Sequence, residues 1–136
     1  MPRVALVTAA AARHLDEDLP LLCAGLDRVG VEHEIVVWDD AAVDWSRFDR
    51  VVIRSTWDYA ERRDAFVSWA RSVPRLSNPA AIVAWNTDKR YLRELDRAGV
   101  AVTPTTWLEP GQPIGAFPDG EIVVKPAVSA GARDTA

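Results

Sequence analysis

The sequence predicts an α/β fold: a parallel-sheet domain over residues 1–84, followed over 85–136 by the first part of a second α/β unit. Three observations predict it. Short runs rich in β-branched residues recur along the chain, they alternate with segments whose apolar residues repeat every three or four positions, and the composition shifts near residues 80–86. Strand–helix–strand alternation implies parallel strands, because parallel neighbours need a crossover connection, usually a helix.

"RVALVT" (3–8) is the first expected strand, a buried one. Leu19, Leu22, Cys23, Leu26 and Val29 then fall on one helical face, with Pro20 in the first turn and Gly30 as the stop. "VEHEIVVW" (31–38) and "RVVIRS" (50–55) are the second and third strands. Phe66, Trp69, Ala70 and Val73 mark another amphipathic helix, ended by Pro74. Beyond "RLSNPAAIVAWN", residues 87–99 read as a capped helix stopping at Gly99, with Tyr91, Leu92, Leu95 and Ala98 inward. "VAVTPTTWL" (100–108) and "EIVVKPA" (121–127) are expected as two further strands joined by a Gly/Pro loop. Two strands and one helix make a poor free-standing unit, since an isolated hairpin is marginal in water. The second unit reads as unfinished.

The totals exclude several classes. A chain of 136 residues has the length of one average domain, and 49% apolar with 26% charged residues is ordinary globular composition. A net charge of −4 disfavours nucleic acid, which calls for a basic surface. The single cysteine, Cys23, excludes an internal disulfide and suits a reducing compartment. There is neither a signal-peptide pattern nor an apolar run of membrane-spanning length, so a cytoplasmic protein without membrane partners is expected. The six tryptophans lack the regular spacing of a propeller repeat.

Four stretches could carry chemistry. After the first strand, "AAAARHLDED" has no glycine, so a dinucleotide turn of the Gly-x-Gly-x-x-Gly type is excluded there. Asp16, Glu17 and Asp18 suit a helix start, and one of them, with Asp16 and Asp18 the candidates, is placed to hold an ammonium group at the mouth of the sheet. Arg54, Ser55 and Thr56 close the third strand, where open α/β sheets collect ligands. A guanidinium beside two hydroxyls suits a carboxylate or phosphate, with Asp58 close by. Equally, Trp57 and Tyr59 suit a core, Asp58 a helix cap and Arg54 its ion-pair partner. Lys89 opens a helix against the dipole, which invites a reason such as a phosphate bound near the same terminus, although a lone helix lysine is most often simply solvated; Arg90 and Glu94 suit an i,i+4 pair on a wet face. Lys125 ends an apolar strand, sharing a face with Val123, and the small residues Ser129, Ala130 and Gly131 follow. The stretch lacks the Gly-Lys-Ser/Thr of a Walker A loop.

The long strings "WNTDKRYLREL" (85–95) and "VVKPAVSAGARDT" (123–135), with "WDD" (38–40), "DW" (44–45), "RSTWDY" (54–59), "NP" (78–79) and "PT" (104–105), resemble the ATP-grasp ligases of the glutathione-synthetase-like kind. In particular they resemble the bacterial group that includes the cycloserine-forming O-ureido-serine cyclo-ligase. The resemblance implies a Rossmann-like pre-ATP-grasp domain over 1–84 and a partial ATP-grasp domain over 85–136. It places Lys89 on the α-phosphate of ATP and Lys125 on the nucleotide. Ser129, Ala130 and Gly131 would lie over the β- and γ-phosphates, assisted by Arg133. The first domain would help form the pocket for a small amino-acid-like acceptor. The implied chemistry is a carboxylate phosphorylated to an acylphosphate and then attacked by an amine-type nucleophile, a reaction carried by positioning, lysines and Mg²⁺.

Members of that family continue for roughly another domain's length. The continuation holds the adenine hinge, the acidic and Asn ligands of Mg²⁺ and the arginine that meets the acylphosphate. The chain as written is therefore expected to contribute no metal ligand and to be inactive alone. Homodimerisation is compatible with this reading. The competing reading is a non-catalytic α/β module for small-molecule binding or dimerisation.

Overall fold

The structure, a computed structural model, describes residues 1–116, 119–131 and 135–136. Its centre is a three-stranded parallel sheet of β1 (Arg3–Thr8), β2 (Glu32–Val37) and β3 (Arg50–Ser55), in the order β2-β1-β3. β1 is central, and Leu6 faces Ile35 on one side and Val52 on the other. The strands carry little polar/apolar alternation because parallel sheets are covered on both faces. The register with β3 shifts between Val7 and Thr8: Val7 pairs with Ile53 and Thr8 with Ser55, so Arg54 has no partner on β1. Such irregularities re-aim a side chain at a strand end.

Four helices complete the described chain: α1 (Leu19–Arg28), α2 (Arg63–Ser72), α3 (Ala80–Asn86) and α4 (Tyr91–Arg97). α1 begins with Pro20 in its first turn, where the missing N–H costs nothing. It ends at Gly30, whose φ of 68° places it in the left-handed region. There the Val31 N–H donates to the Leu26 carbonyl and the Gly30 N–H to that of Asp27, closing the helix as the sequence predicts.

The main core lies between one sheet face and α2 and α3. Alternation along the strands turns Ala5, Val7, Val36 and Val51 to this face, where they join Trp38, Phe48, Phe66, Ala70, Val73 and Val83. Aromatic rings dominate it. Phe66 meets Trp38 edge-on at 5.3 Å and stacks on Trp69 at 5.2 Å and on Tyr59 at 5.5 Å. After α2 the chain returns beside β3 through a single parallel bridge between Val51 and Leu76. Arg75 just before it takes a φ of 57°, held by its Nε donating to the Phe48 carbonyl at 2.8 Å. No helix among the described residues is long and apolar enough to cross a membrane.

The second unit departs from the sequence reading. Neither 100–108 nor 121–126 forms a strand, and Ile122, Val123 and Val124 stand exposed. Strands need ladder partners, and 121–126 finds little beyond a reciprocal backbone pair between Val124 and Ala136. The helix expected over 87–99 is shorter, because residues 87–90 turn before α4 begins. α3 was not expected: the stretch read as a boundary is a helix after Pro79 that buries Val83 against the first domain's core. Arg90 pairs with Asp88 at 3.1 Å and Glu109 at 3.0 Å, leaving Glu94 to accept from Trp85 Nε1 at 2.8 Å.

Candidate functional site

Two clusters of the expected site residues form, one at the carboxyl edge of the sheet and one where Lys89 meets residues 127–129. At the sheet edge, the Arg54 guanidinium reaches Asp16 at 3.1 and 3.3 Å, and the Asp16 side chain is only 8% exposed. The register shift that frees Arg54 from β1 accompanies this pairing. Asp16 thus meets the chain's own guanidinium, and Arg54 pairs with Asp16 rather than with Asp58. Arg54 Nε is buried and has no hydrogen-bond partner among the described residues.

The other residues expected here divide by environment. Ser55 is fully buried, its hydroxyl 2.8 Å from that of Thr8, a bond that ties β3 to β1. Thr56 is buried directly beyond it. Asp58 accepts from Trp38 Nε1 at 2.9 Å and pairs with Arg62 at 2.6 Å, so it fixes the turn after β3. Arg62 also pairs with Asp39 at 2.7 Å and lies 4.7 Å over the Trp38 ring. Asp18 is exposed at the start of α1, and its side chain makes no capping bond. The acids 16–18 all precede the helix, whose own first turn holds none.

The second cluster is built around Lys89. The residue sits in the turn before α4, outside the helix, so the dipole argument does not explain its placement. Its Nζ donates to the Ser129 hydroxyl at 2.7 Å and to the Ser129 carbonyl at 3.2 Å, while its backbone N–H donates to the Ala127 carbonyl at 2.8 Å. Burial pushes the Lys89 ammonium below its ordinary pKa, and the nearby charge of Lys125 pushes the same way, against Asp88. Lys125 itself stands exposed. A part-buried cation with a second positive charge acting on it suits an anion, which would relieve both effects on Lys89. Ala130 is half-buried beside Ser129, and Gly131 turns the backbone with a φ of 61° and open space around its Cα. Arg133 lies outside the described residues.

Three residues not singled out for this role support the cluster. Tyr59 Oη donates to the Ser129 carbonyl at 3.1 Å. Arg63 Nε donates to Thr87 Oγ1 at 3.0 Å and another guanidinium N–H to the Ala84 carbonyl at 2.6 Å, which fixes the end of α3 two residues before Lys89. Asp88 accepts from the Arg90 N–H at 2.9 Å. Burial alone would raise the Asp88 carboxyl, but the Arg90 N–H, the Arg90 guanidinium and Arg63 together bring it below its usual value. The polar tip of Tyr59 was the readable signal, since a buried tyrosine hydroxyl needs a partner. Among the described residues no group of three or more His, Cys, Asp or Glu side chains could hold a metal ion.

Residues 4–81, more than half of the chain, match the family model of the N-terminal domain of D-cycloserine synthetase DcsG. The chain belongs to that family. Among curated proteins it is similar to the cycloserine biosynthesis protein DcsG of Streptomyces lavendulae, at 40% identity over 143 residues, 96% of this chain and 48% of the relative. The crystal structure of D-cycloserine synthetase DcsG shares the fold with a TM-score of 0.74 at 43% identity, over 81% of this chain and 38% of that one. The chain thus spans about half the length of the curated relative it matches. The cycloserine-forming group named from the sequence strings is the group found.

Proposed function

We propose that the chain contributes the acceptor-substrate domain and the first nucleotide-contacting residues of an ATP-dependent ligase of the ATP-grasp kind. Its substrate is a small amino-acid-like carboxylate, activated as an acylphosphate and attacked by an amine-type nucleophile, with ring closure of an O-ureido-serine type as the sharpest form. The observation that carries this reading is the part-buried Lys89 ammonium held on Ser129, with the Lys125 charge acting on it: burial and that charge make Lys89 receptive to phosphate oxygens. ATP supplies the phosphoryl group when bound. Lys89 and Lys125 hold its phosphates, and Ser129, Ala130 and Gly131 offer a hydroxyl and backbone close to them. At the sheet edge, the Arg54 guanidinium, fixed by Asp16, meets the substrate carboxylate through its exposed part. The similarity to a D-cycloserine synthetase supports the substrate class.

The reading assigns Mg²⁺ and adenine to residues outside this chain, so the chain alone should bind nucleotide weakly and turn nothing over. The test joins the chain to the C-terminal half of the Streptomyces lavendulae relative and assays ADP release with O-ureido-serine and other small amino acids. Lys89→Ala and Lys125→Ala should each raise the KM for ATP by tenfold or more. Unchanged ATP affinity in both variants would sink the proposal.

A further inference from the structure

We infer that Tyr59 is a positioning residue: from the sheet domain it holds the Ser129 backbone where the Ser129 hydroxyl and carbonyl meet the Lys89 ammonium. The inference deepens the nucleotide reading and rests on it for its functional half. Tyr59 belongs to the 3-10 turn Trp57–Glu61 that leaves β3, five residues after Arg54. Its hydroxyl reaches across 70 positions of sequence to the Ser129 carbonyl, the same oxygen that accepts from Lys89 Nζ.

A side chain positions a loop only if it is itself fixed. Tyr59 meets that condition. Its ring stacks on Phe66, itself 2% exposed, at an interplanar angle of 26°. The Arg62 N–H donates to its carbonyl at 3.0 Å, and its neighbour Asp58 is tied to Trp38 and Arg62. Among the described residues the loop has no comparable support of its own. Residues 127–131 lie in no helix or strand, and the cross-chain bonds found there come from Lys89 and Tyr59. Ordering such a segment costs backbone entropy for every residue fixed. Tyr59 offsets part of that cost in advance, from the same turn whose first end lies beside Arg54. One short element thus supports both clusters.

Tyr59→Phe keeps the ring and removes one donor. Amide hydrogen exchange of the chain, with no nucleotide present, should speed up about five-fold at the backbone N–H of residue 89, which donates to the Ala127 carbonyl of the loop, the effect of one typical hydrogen bond. Exchange in β1 should stay unchanged. Because Lys89 shares the carbonyl, the same change is also made in a Lys89→Met background, where the loop loses both donors and exchange should rise further. The affinity for inorganic tripolyphosphate, measured at constant pH, should fall about five-fold in Tyr59→Phe and be lost in Lys89→Met. Unchanged exchange of the residue 89 N–H in both backgrounds, or an equal rise in β1, would overturn the inference. Tripolyphosphate binding indifferent to Lys89→Met would overturn the nucleotide reading instead, while faster exchange of that N–H would still support Tyr59 as the loop's anchor.

Discussion

The Lys89 ammonium lies 2.7 Å from the Ser129 hydroxyl, 40 residues later in the chain, and the charge of Lys125 reaches it. The Lys89 ammonium is bonded to a hydroxyl and a carbonyl and to no carboxylate, with Asp88 acting on it only through its charge. Burial and the Lys125 charge both make the Lys89 charge more costly.

Its pH dependence follows from the direction of the Lys89 shift. The pKa is lowered from the ordinary 10.5, first by burial and then by Lys125. Below the lowered value Lys89 is charged in both folded and unfolded chains, and the cost to folding is fully present. As pH rises from the folded pKa toward 10.5 that cost disappears, so this group favours folding with rising pH in the alkaline range. Tripolyphosphate binding should run the other way, weakening as Lys89 loses its proton. Isothermal titrations across that range check the sign.

The Asp16–Arg54 pair gives a second prediction. Asp16→Asn leaves a half-buried guanidinium without its counter-charge and should destabilise the fold by about 1.5–3 kcal/mol, the range for a hydrogen bond to a charged group. Urea unfolding of Asp16→Asn, Arg54→Met and the double variant measures the coupling. A coupling near zero would show that the pair contributes nothing to the fold.

Helix α3 is the structural bridge to Lys89, and Val83 is its buried contact with the core, only 4% exposed. Val83→Ala should cost about 1.5–3 kcal/mol from lost burial and the cavity left behind. The Lys89 turn should loosen with it, seen as faster exchange of the Lys89 amide that donates to Ala127.

Much of the sheet domain was legible in the sequence. Residues 3–8 and 50–55 form strands as predicted, and Pro20 and Gly30 frame α1, because local propensity, capping and burial agree there. Residues 100–108 and 121–126 carry the same β-branched pattern and form no strand, since a strand's stability comes from its ladder partners. α3 was obscured because its seven residues are too few to show a helical period. At the site, charged residue types were readable but pairings were not. Ser55 and Asp58 look like ligand groups in sequence, yet both are bonded within the fold, to Thr8 and to Trp38 and Arg62. Pairings over dozens of residues depend on how elements pack, and side-chain chemistry alone does not fix them. Tyr59 read as core, and its ring is; only the packed structure shows its hydroxyl on Ser129.

The Gly30 turn tests the local reading by itself. Gly30→Ala forces a side chain into a φ of 68° and should cost about 1 kcal/mol in thermal or urea unfolding. The Lys89 cluster should be untouched, with tripolyphosphate affinity unchanged.

The central claim, that two lysines share one polyphosphate, is tested most directly by side-chain nitrogen NMR of the lysine-labelled chain titrated with tripolyphosphate. The Lys89 and Lys125 ammonium signals should shift together, along a single saturation curve, and the Lys89 pKa should rise on binding. Signals that stay still, or that move at unrelated concentrations, would contradict it.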